Sequence, residues 1–176
     1  MRTPNRPLDE FEQALITSCQ SITNKEPETW GFSSTQTDLS LESGRQADPA
    51  RAIYRLTITP ELCNLHETLH GGCAATLVDV LSTTLVLALS SPGHFQRGGV
   101  TRNLRLTYLR PVARGMRVRL VTEAVHLGRR LVLLRSEIRA LPGDPGTEDD
   151  LQDGLDGILC VVAEHEKANT DPVVKL

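Results

Sequence analysis

From Gly72 to Leu89 the chain puts apolar residues on every side of a helix: Ala74, Leu77, Val78, Leu81, Leu85, Val86 and Leu89. A helix without a polar face has to be enclosed by other structure, so this segment fixes the middle of the fold. Ser91-Pro92-Gly93 stops it. One acid interrupts it, Asp79, and His70-Gly71-Gly72 stands at its start. Two glycines at a helix start let the backbone approach a ligand and aim free N–H groups at developing negative charge. Asp79 follows Gly72 by seven residues, two helical turns. An amide donor and an isolated acid on one element are the parts of a hydrolytic site.

The same region spells H-E-x-x-H as His66-Glu67-Thr68-Leu69-His70, the pattern in which two His on a helix face hold zinc and Glu acts as base. Thr59, Pro60 and Gly71 could bound such a helix, with Leu62, Leu65 and Leu69 on one side. The helix would be short and would end at its second ligand. The extended form of the pattern also fails, because position 73 is Cys rather than Gly and position 76 is Thr rather than His. No metal site is expected, and zinc hydrolysis through His66, Glu67 and His70 is the minor alternative.

With 176 residues the chain can bury a core of its own as one domain. A net charge of −3 and six aromatic residues argue against nucleic acid as a partner. No apolar run reaches the roughly 20 residues that span a bilayer, so no membrane partner is expected. The start, MRTPNRPLDEFEQ, lacks an apolar signal core, and Asp9, Glu10 and Glu12 speak against a transit peptide. Cys19, Cys63, Cys73 and Cys160 lack metal or disulfide spacing, as in intracellular proteins. The expectation is a cytoplasmic protein, with a mitochondrial one left open.

Leu8, Phe11, Leu15, Cys19 and Ile22 recur at helical intervals, a short amphipathic helix expected at the domain edge within an N-terminal extension, 1–51. Residues 24–50 read as irregular apart from a short strand near 35–41. Tyr54, Leu56 and Ile58 alternate with Arg55 and Thr57 in a half-buried strand, 52–58. Four further strands are expected at 99–108, 116–127, 130–140 and 157–165, the first three joined by hairpin turns at Arg110-Pro111 with Gly115 and at Gly128-Arg129. Between the last two, residues 141–156 carry six acids and no base and read as a solvated loop. The tail, 168–176, reads as frayed, and fraying is expected to set in from Lys167 onward. The order is one strand, one buried helix, then an antiparallel meander, so the fold class is α+β with a curved sheet around a single long helix.

This order, with N-x5-H-G-G-x6-D running from Asn64 to Asp79, resembles the hotdog-fold acyl thioesterases, most closely the small acyl-CoA thioesterases of the phenylacetate-degradation and thioesterase-superfamily-member-2 type. Val100 to Pro111, VTRNLRLTYLRP, is similar to the strand after the helix in those enzymes, and the resemblance covers 52–167. It implies hydrolysis of acyl-CoA or acyl-carrier-protein thioesters, with coenzyme A thioesters favoured, no cofactor, and a homodimer or homotetramer whose site draws on two subunits. By the same resemblance the Gly71 amide and Asn64 side chain polarise the carbonyl and Asp79 acts as base on water or attacks directly. Thr101 orients the water or the carboxylate, and His70, beside Gly72, positions substrate. A non-catalytic acyl-thioester binder is the alternative from another class. A hotdog dehydratase is disfavoured because Asp79 has no clear His partner on its helix.

Eleven arginines fall between Arg97 and Arg139, against Glu123 and Glu137. A solvated sheet face accounts for most of them. Arg110, Arg129 and Arg130, at strand ends, are the candidates for substrate phosphates, since guanidinium binds phosphate bidentately. The acyl group and the pathway are not legible.

Overall fold

The structure is a computed structural model that describes residues 3–23, 38–141 and 157–172. Its elements run α1 (Glu10–Thr23), β1 (Ser40–Arg45), β2 (Arg51–Thr57), α2 (Gly71–Ala88), β3 (Val100–Tyr108), β4 (Arg117–Leu127), β5 (Leu131–Ala140) and β6 (Ile158–Ala168). The six strands form one antiparallel sheet in the order β1-β2-β4-β5-β6-β3. This corrects the expected simple meander. β3 and β4 are consecutive but do not pair; β3 crosses to the far side and bonds to β6, which makes it an edge strand. α2, which precedes β3 in the chain, packs across the sheet.

α2 is long and apolar enough to cross a membrane by composition alone. In the fold its Leu77, Val78, Leu81, Leu85 and Val86 are buried in one core with Tyr54, Leu56, Leu120, Leu134 and Ala163 of the sheet. Within that core the Tyr54 hydroxyl and Thr84 Oγ1 lie 2.6 Å apart, which satisfies both.

The N-terminal helix is more deeply integrated than an edge element. Asp9 Oδ1 accepts from the Glu12 N–H at 2.8 Å while the Asp9 N–H points back to Glu12 Oε2 at 3.4 Å, a capping box that fixes where α1 begins. Phe11, Leu15 and Cys19 then enter the common core, and α1 lies on α2. Gly44 of β1 permits the approach: a Cβ there would meet Leu15 Cδ1 at 2.5 Å. β1 itself lies at 40–45 rather than near 35–41, and residues 35–37 fall outside the described ones.

Fraying does not set in at Lys167, and residues 173–176 of the expected tail lie outside the described residues. β6 continues to Ala168, and Asn169 ties the next turn down by donating to the Gly93 and Arg129 carbonyls and accepting from the Phe95 N–H. The expected acidic loop, 141–156, lies outside the described residues except for Leu141, which is buried.

On the outer face of the sheet the arginines are largely matched. Arg51, Glu123, Arg135, Glu164 and Arg105 stand opposite one another in successive strands, a row of alternating charge across β2-β4-β5-β6-β3. Arg105, Arg135 and Glu164 also line a shallow cavity of about 290 Å³ on that face.

Candidate active site

The segment before α2 is not a helix beyond a single 3-10 turn at Pro60–Leu62, so the H-E-x-x-H residues do not share a helix face. Glu67 has a left-handed backbone (φ 56°) and pairs with Arg114 at 2.8 Å. Among the described residues, no three His, Cys, Asp or Glu groups gather as metal ligands. Asn64 instead organises this loop. Its Oδ1 accepts from the N–H of His66 at 2.8 Å and of Thr68 at 3.3 Å, and its Nδ2 donates to Thr68 Oγ1 at 3.0 Å. That is the turn-forming use of an Asn side chain. Nδ2 carries a second hydrogen, so one donor is left over.

His70 is the N-cap of α2. Its Nδ1 accepts from the Gly72 N–H at 3.0 Å, so the Gly72 amide is occupied by the cap rather than offered to a ligand. The Gly71 N–H, first in the helix, has no acceptor among the described residues. It is a free donor at the positive end of the helix dipole. One peptide further along, the Tyr108 hydroxyl donates to the Gly71 carbonyl at 2.8 Å and holds the Gly71–Gly72 peptide. Beside it opens a cleft of about 330 Å³ lined by Leu69, Gly71, Ala74, Tyr108, Leu109, Arg110, Pro111, Val112 and Val161.

Asp79 lies two turns further along α2 and gathers a polar cluster in which His165, Lys167 and Ser82 are buried. Thr101 Oγ1 donates to its Oδ1 at 3.0 Å; His165 Nε2 lies 3.3 Å and Lys167 Nζ 4.0 Å from the same oxygen. His165 Nε2 is also 2.9 Å from Thr101 Oγ1, and its Nδ1 is 2.7 Å from Ser82 Oγ. The Asp79 side chain is 44% exposed, whereas His165 is fully buried. All of these contacts load Oδ1, and among the described residues Oδ2 makes no hydrogen bond. Burial drives the His165 imidazole down to about 4, the Lys167 ammonium adds to this, and Asp79 opposes it. Burial likewise lowers Lys167, against the pull of Asp79. At neutral pH the His165 imidazole is therefore neutral.

His165, Lys167 and Ser82 are the residues that sequence reasoning missed; α2 itself carries no His partner for Asp79, as read from the sequence. The partner comes from β6 rather than from the helix. The signal was the spacing: Ala163, His165 and Lys167 alternate on the strand, which puts all three on the face toward α2. Both ring nitrogens of His165 are engaged, so it braces the acid and does not face the cleft.

The candidate residues fall into two groups in one chain. Gly71, His70, Asn64 and Arg110 belong to the Tyr108 end of β3; Arg110 donates to the Leu159 carbonyl at 2.9 Å. Asp79 and Thr101 belong to the Val100 end, and Arg129 and Arg130 form the β4–β5 turn near it, held by Asn169. Gly71 and Asp79 are separated by eight residues of helix, about 12 Å along the axis. Within one chain they do not converge on one bond, and the three arginines do not converge on one phosphate.

Comparison with known proteins identifies the architecture. Residues 66–146 match the family described as Thioesterase superfamily. The acyl-coenzyme A thioesterase 13 proteins of Homo sapiens and Pongo abelii are each 32% identical to this chain over 87 residues, 48% of this chain and 58% of theirs. The chain thus spans a little over half the length of these curated relatives. Thioesterase superfamily member 2 of zebrafish superposes with a TM-score of 0.65 at 20% identity, covering 87% of this chain and 94% of that one. A thioesterase protein of Streptococcus pneumoniae solved with coenzyme A superposes at 0.59 and 20% identity, covering 78% and 92%. Residues 66–146 are thus similar to the thioesterase superfamily, and the chain has the hotdog fold of these solved structures.

Proposed function

We propose that this protein hydrolyses acyl-CoA thioesters, and that its working unit is a homodimer whose sites each combine the Gly71 end of one subunit with the Asp79 end of the other. The observation that carries this reading is the open oxygen of Asp79: Oδ1 is held by Thr101 and faced by the buried His165 and Lys167, while Oδ2 is left for a water. A half-exposed carboxylate among Leu77, Val78, Val80 and Leu81 is placed to take a proton as that water attacks.

The unpaired edge of β3 supplies the geometry. Tyr108 holds Gly71 and Thr101 holds Asp79, at opposite ends of this strand. If two copies of β3 pair antiparallel, the Tyr108 end of one lies along the Val100 end of the other, and a free Gly71 amide comes opposite a held Asp79. An exposed edge with Val100 and Tyr108 each 54% exposed is suited to such pairing. The same operation brings Arg110 of one copy toward Arg129 and Arg130 of the other, where phosphates of coenzyme A could be met.

In the reaction, Asp79 takes a proton from water as the oxygen attacks the thioester carbonyl. The resulting oxyanion is met by the Gly71 N–H, with the spare Asn64 Nδ2 hydrogen as second donor. The tetrahedral intermediate collapses with loss of the thiolate, which recovers the proton. A single pre-aimed oxyanion donor is worth about 10² to 10³ in turnover. The names of the human relative, an acyl-coenzyme A thioesterase, and of the coenzyme A-bound Streptococcus pneumoniae protein support the substrate class.

The test is a thiol-release assay over acyl-CoA thioesters of increasing chain length, aromatic acyl-CoA and acyl-carrier-protein thioesters, with particle mass measured by light scattering. Release from the CoA series by a dimer or tetramer is expected. Tight acyl-CoA binding without release anywhere on the panel would leave a binding protein and sink the hydrolase reading.

A further inference from the structure

Resting on the thioesterase reading above, we propose that Lys167 is a positioning residue for Asp79: its buried ammonium is the fixed charge that holds the carboxylate and the Thr101 hydroxyl in the arrangement that receives a proton from water.

The geometry is specific. Lys167 is 4% exposed, an unusual state for a side chain that normally stays in water. An ammonium taken out of water needs an anion and hydrogen-bond acceptors nearby. Its Nζ lies 3.5 Å from Thr101 Oγ1 and 4.0 Å from Asp79 Oδ1, and Asp79 is the only acid within ion-pair distance among the described residues. α2 carries no other charge. On the adjoining strands, Arg102 of β3 and Glu166 of β6 pair with each other at 3.7 Å, and His165 is the remaining titratable neighbour.

The hydrogen-bond directions agree. The Asp79 carbonyl already accepts from Thr83 Oγ1 at 2.6 Å, and Ser82 Oγ is 3.3 Å from it but only 2.7 Å from His165 Nδ1. Ser82 thus ties the His165 ring to the backbone of α2 beside Asp79. Thr101 has a single hydrogen and gives it to Asp79 Oδ1, so its lone pairs face His165 and Lys167. Thr101, His165 and Lys167 all approach one carboxylate oxygen, and the other oxygen is left open. With His165 neutral, Lys167 is the one cationic side chain within ion-pair distance of the carboxylate among the described residues.

Removing that charge has a signature that a packing defect does not share. In Lys167→Met, kcat should fall by about 100-fold while KM stays within about threefold, because substrate contacts are untouched. The acid limb of kcat/KM should move to higher pH by about one unit or more, since a carboxylate without its cation holds its proton more tightly. Lys167→Arg should restore kcat to within about tenfold and return the limb. Wild-type kcat in Lys167→Met, or a lowered kcat with the acid limb unmoved, overturns the proposal.

A second measurement needs neither turnover nor the Met variant. With the lysine Cε carbons labelled with ¹³C, the Lys167 resonance should titrate at least about half a unit lower in Asp79→Asn than in the parent. Equal titration overturns the proposal even if Lys167→Met does not fold. If the parent releases no thiol while this coupling is present, the hydrolase reading fails and the Lys167–Asp79 pairing stands.

Discussion

Two acids in this molecule gather buried cations, and they are used in opposite ways. Glu42, after the start of β1, is clamped by Arg55 Nε at 2.5 Å and by Arg119 through Nε at 2.6 Å and Nη2 at 2.5 Å. Both of its oxygens are taken. Burial alone would raise the Glu42 carboxyl, but the two guanidiniums outweigh it and hold it below the usual carboxylate range. Asp79 has one oxygen held and the other open, with His165 and Lys167 buried behind it. A saturated acid holds strands together; a half-saturated one is equipped to accept a proton. The largest consequence should appear on removing the second. Asp79→Asn keeps the size and the Thr101 contact but not the base, so thiol release should fall by about 10³ or more, with the thermal midpoint within a few degrees of the parent. Retained turnover in that variant would show that the open carboxylate is not the base.

The mirror experiment is Glu42→Gln. Arg119 is fully buried, and removing the anion leaves an uncompensated charge in the structure, a change that typically costs about 3 to 5 kcal/mol. The expected result is a loss of that order in urea unfolding, with kcat/KM unchanged. A large fall in turnover per folded molecule would mean that the two clusters are not independent. A smaller effect separates them by pH. His165 is held near 4 in the fold and near 6.5 in an unfolded chain, so unfolding takes up a proton in that window. Stability from this group is complete above pH 6.5 and is lost as pH falls toward 4. The difference between pH 7 and pH 5 should be about 2 kcal/mol and should disappear in His165→Gln. Glu42, with its carboxyl lowered, contributes its own loss only at more acid pH.

The contrast also explains what the sequence could disclose. α2 was legible because eighteen residues without a polar face admit one solution, and β4 and β5 because strand alternation and the Gly128 turn are local. The position of β3 was not, since nothing in residues 100–108 says whether the neighbour is β4 or β6; long-range pairing decides it. The two groups of candidate residues were found by motif, but their separation depends on which end of β3 each adjoins. His165 and Lys167 were overlooked for a related reason. They fall at the end of the expected strand and the start of the expected tail, whereas the strand runs three residues further, to Ala168, and turns both inward. Buried polar clusters assembled from remote segments leave only a period-two trace in any one of them.

The weakest link between the two ends is Tyr108, and it provides the finest test of the comparison. Its hydroxyl touches no reacting atom in the proposed scheme; it donates to the Gly71 carbonyl, while the ring lies 3.4 Å from where a Cβ on Gly71 would be. Tyr108→Phe keeps the ring and removes one exposed hydrogen bond, a change of about 1 kcal/mol. If that bond aims the Gly71 amide, the loss should appear in kcat as about a fivefold decrease, with KM and the thermal midpoint nearly unchanged. A KM effect alone would assign Tyr108 to the wall of the cleft. No effect would mean that the helix start is held by the His70 cap and the neighbouring backbone bonds. The free donor at Gly71 would then owe its direction to α2 itself, and the donor end, unlike the Asp79 end, would need no side chain to complete it.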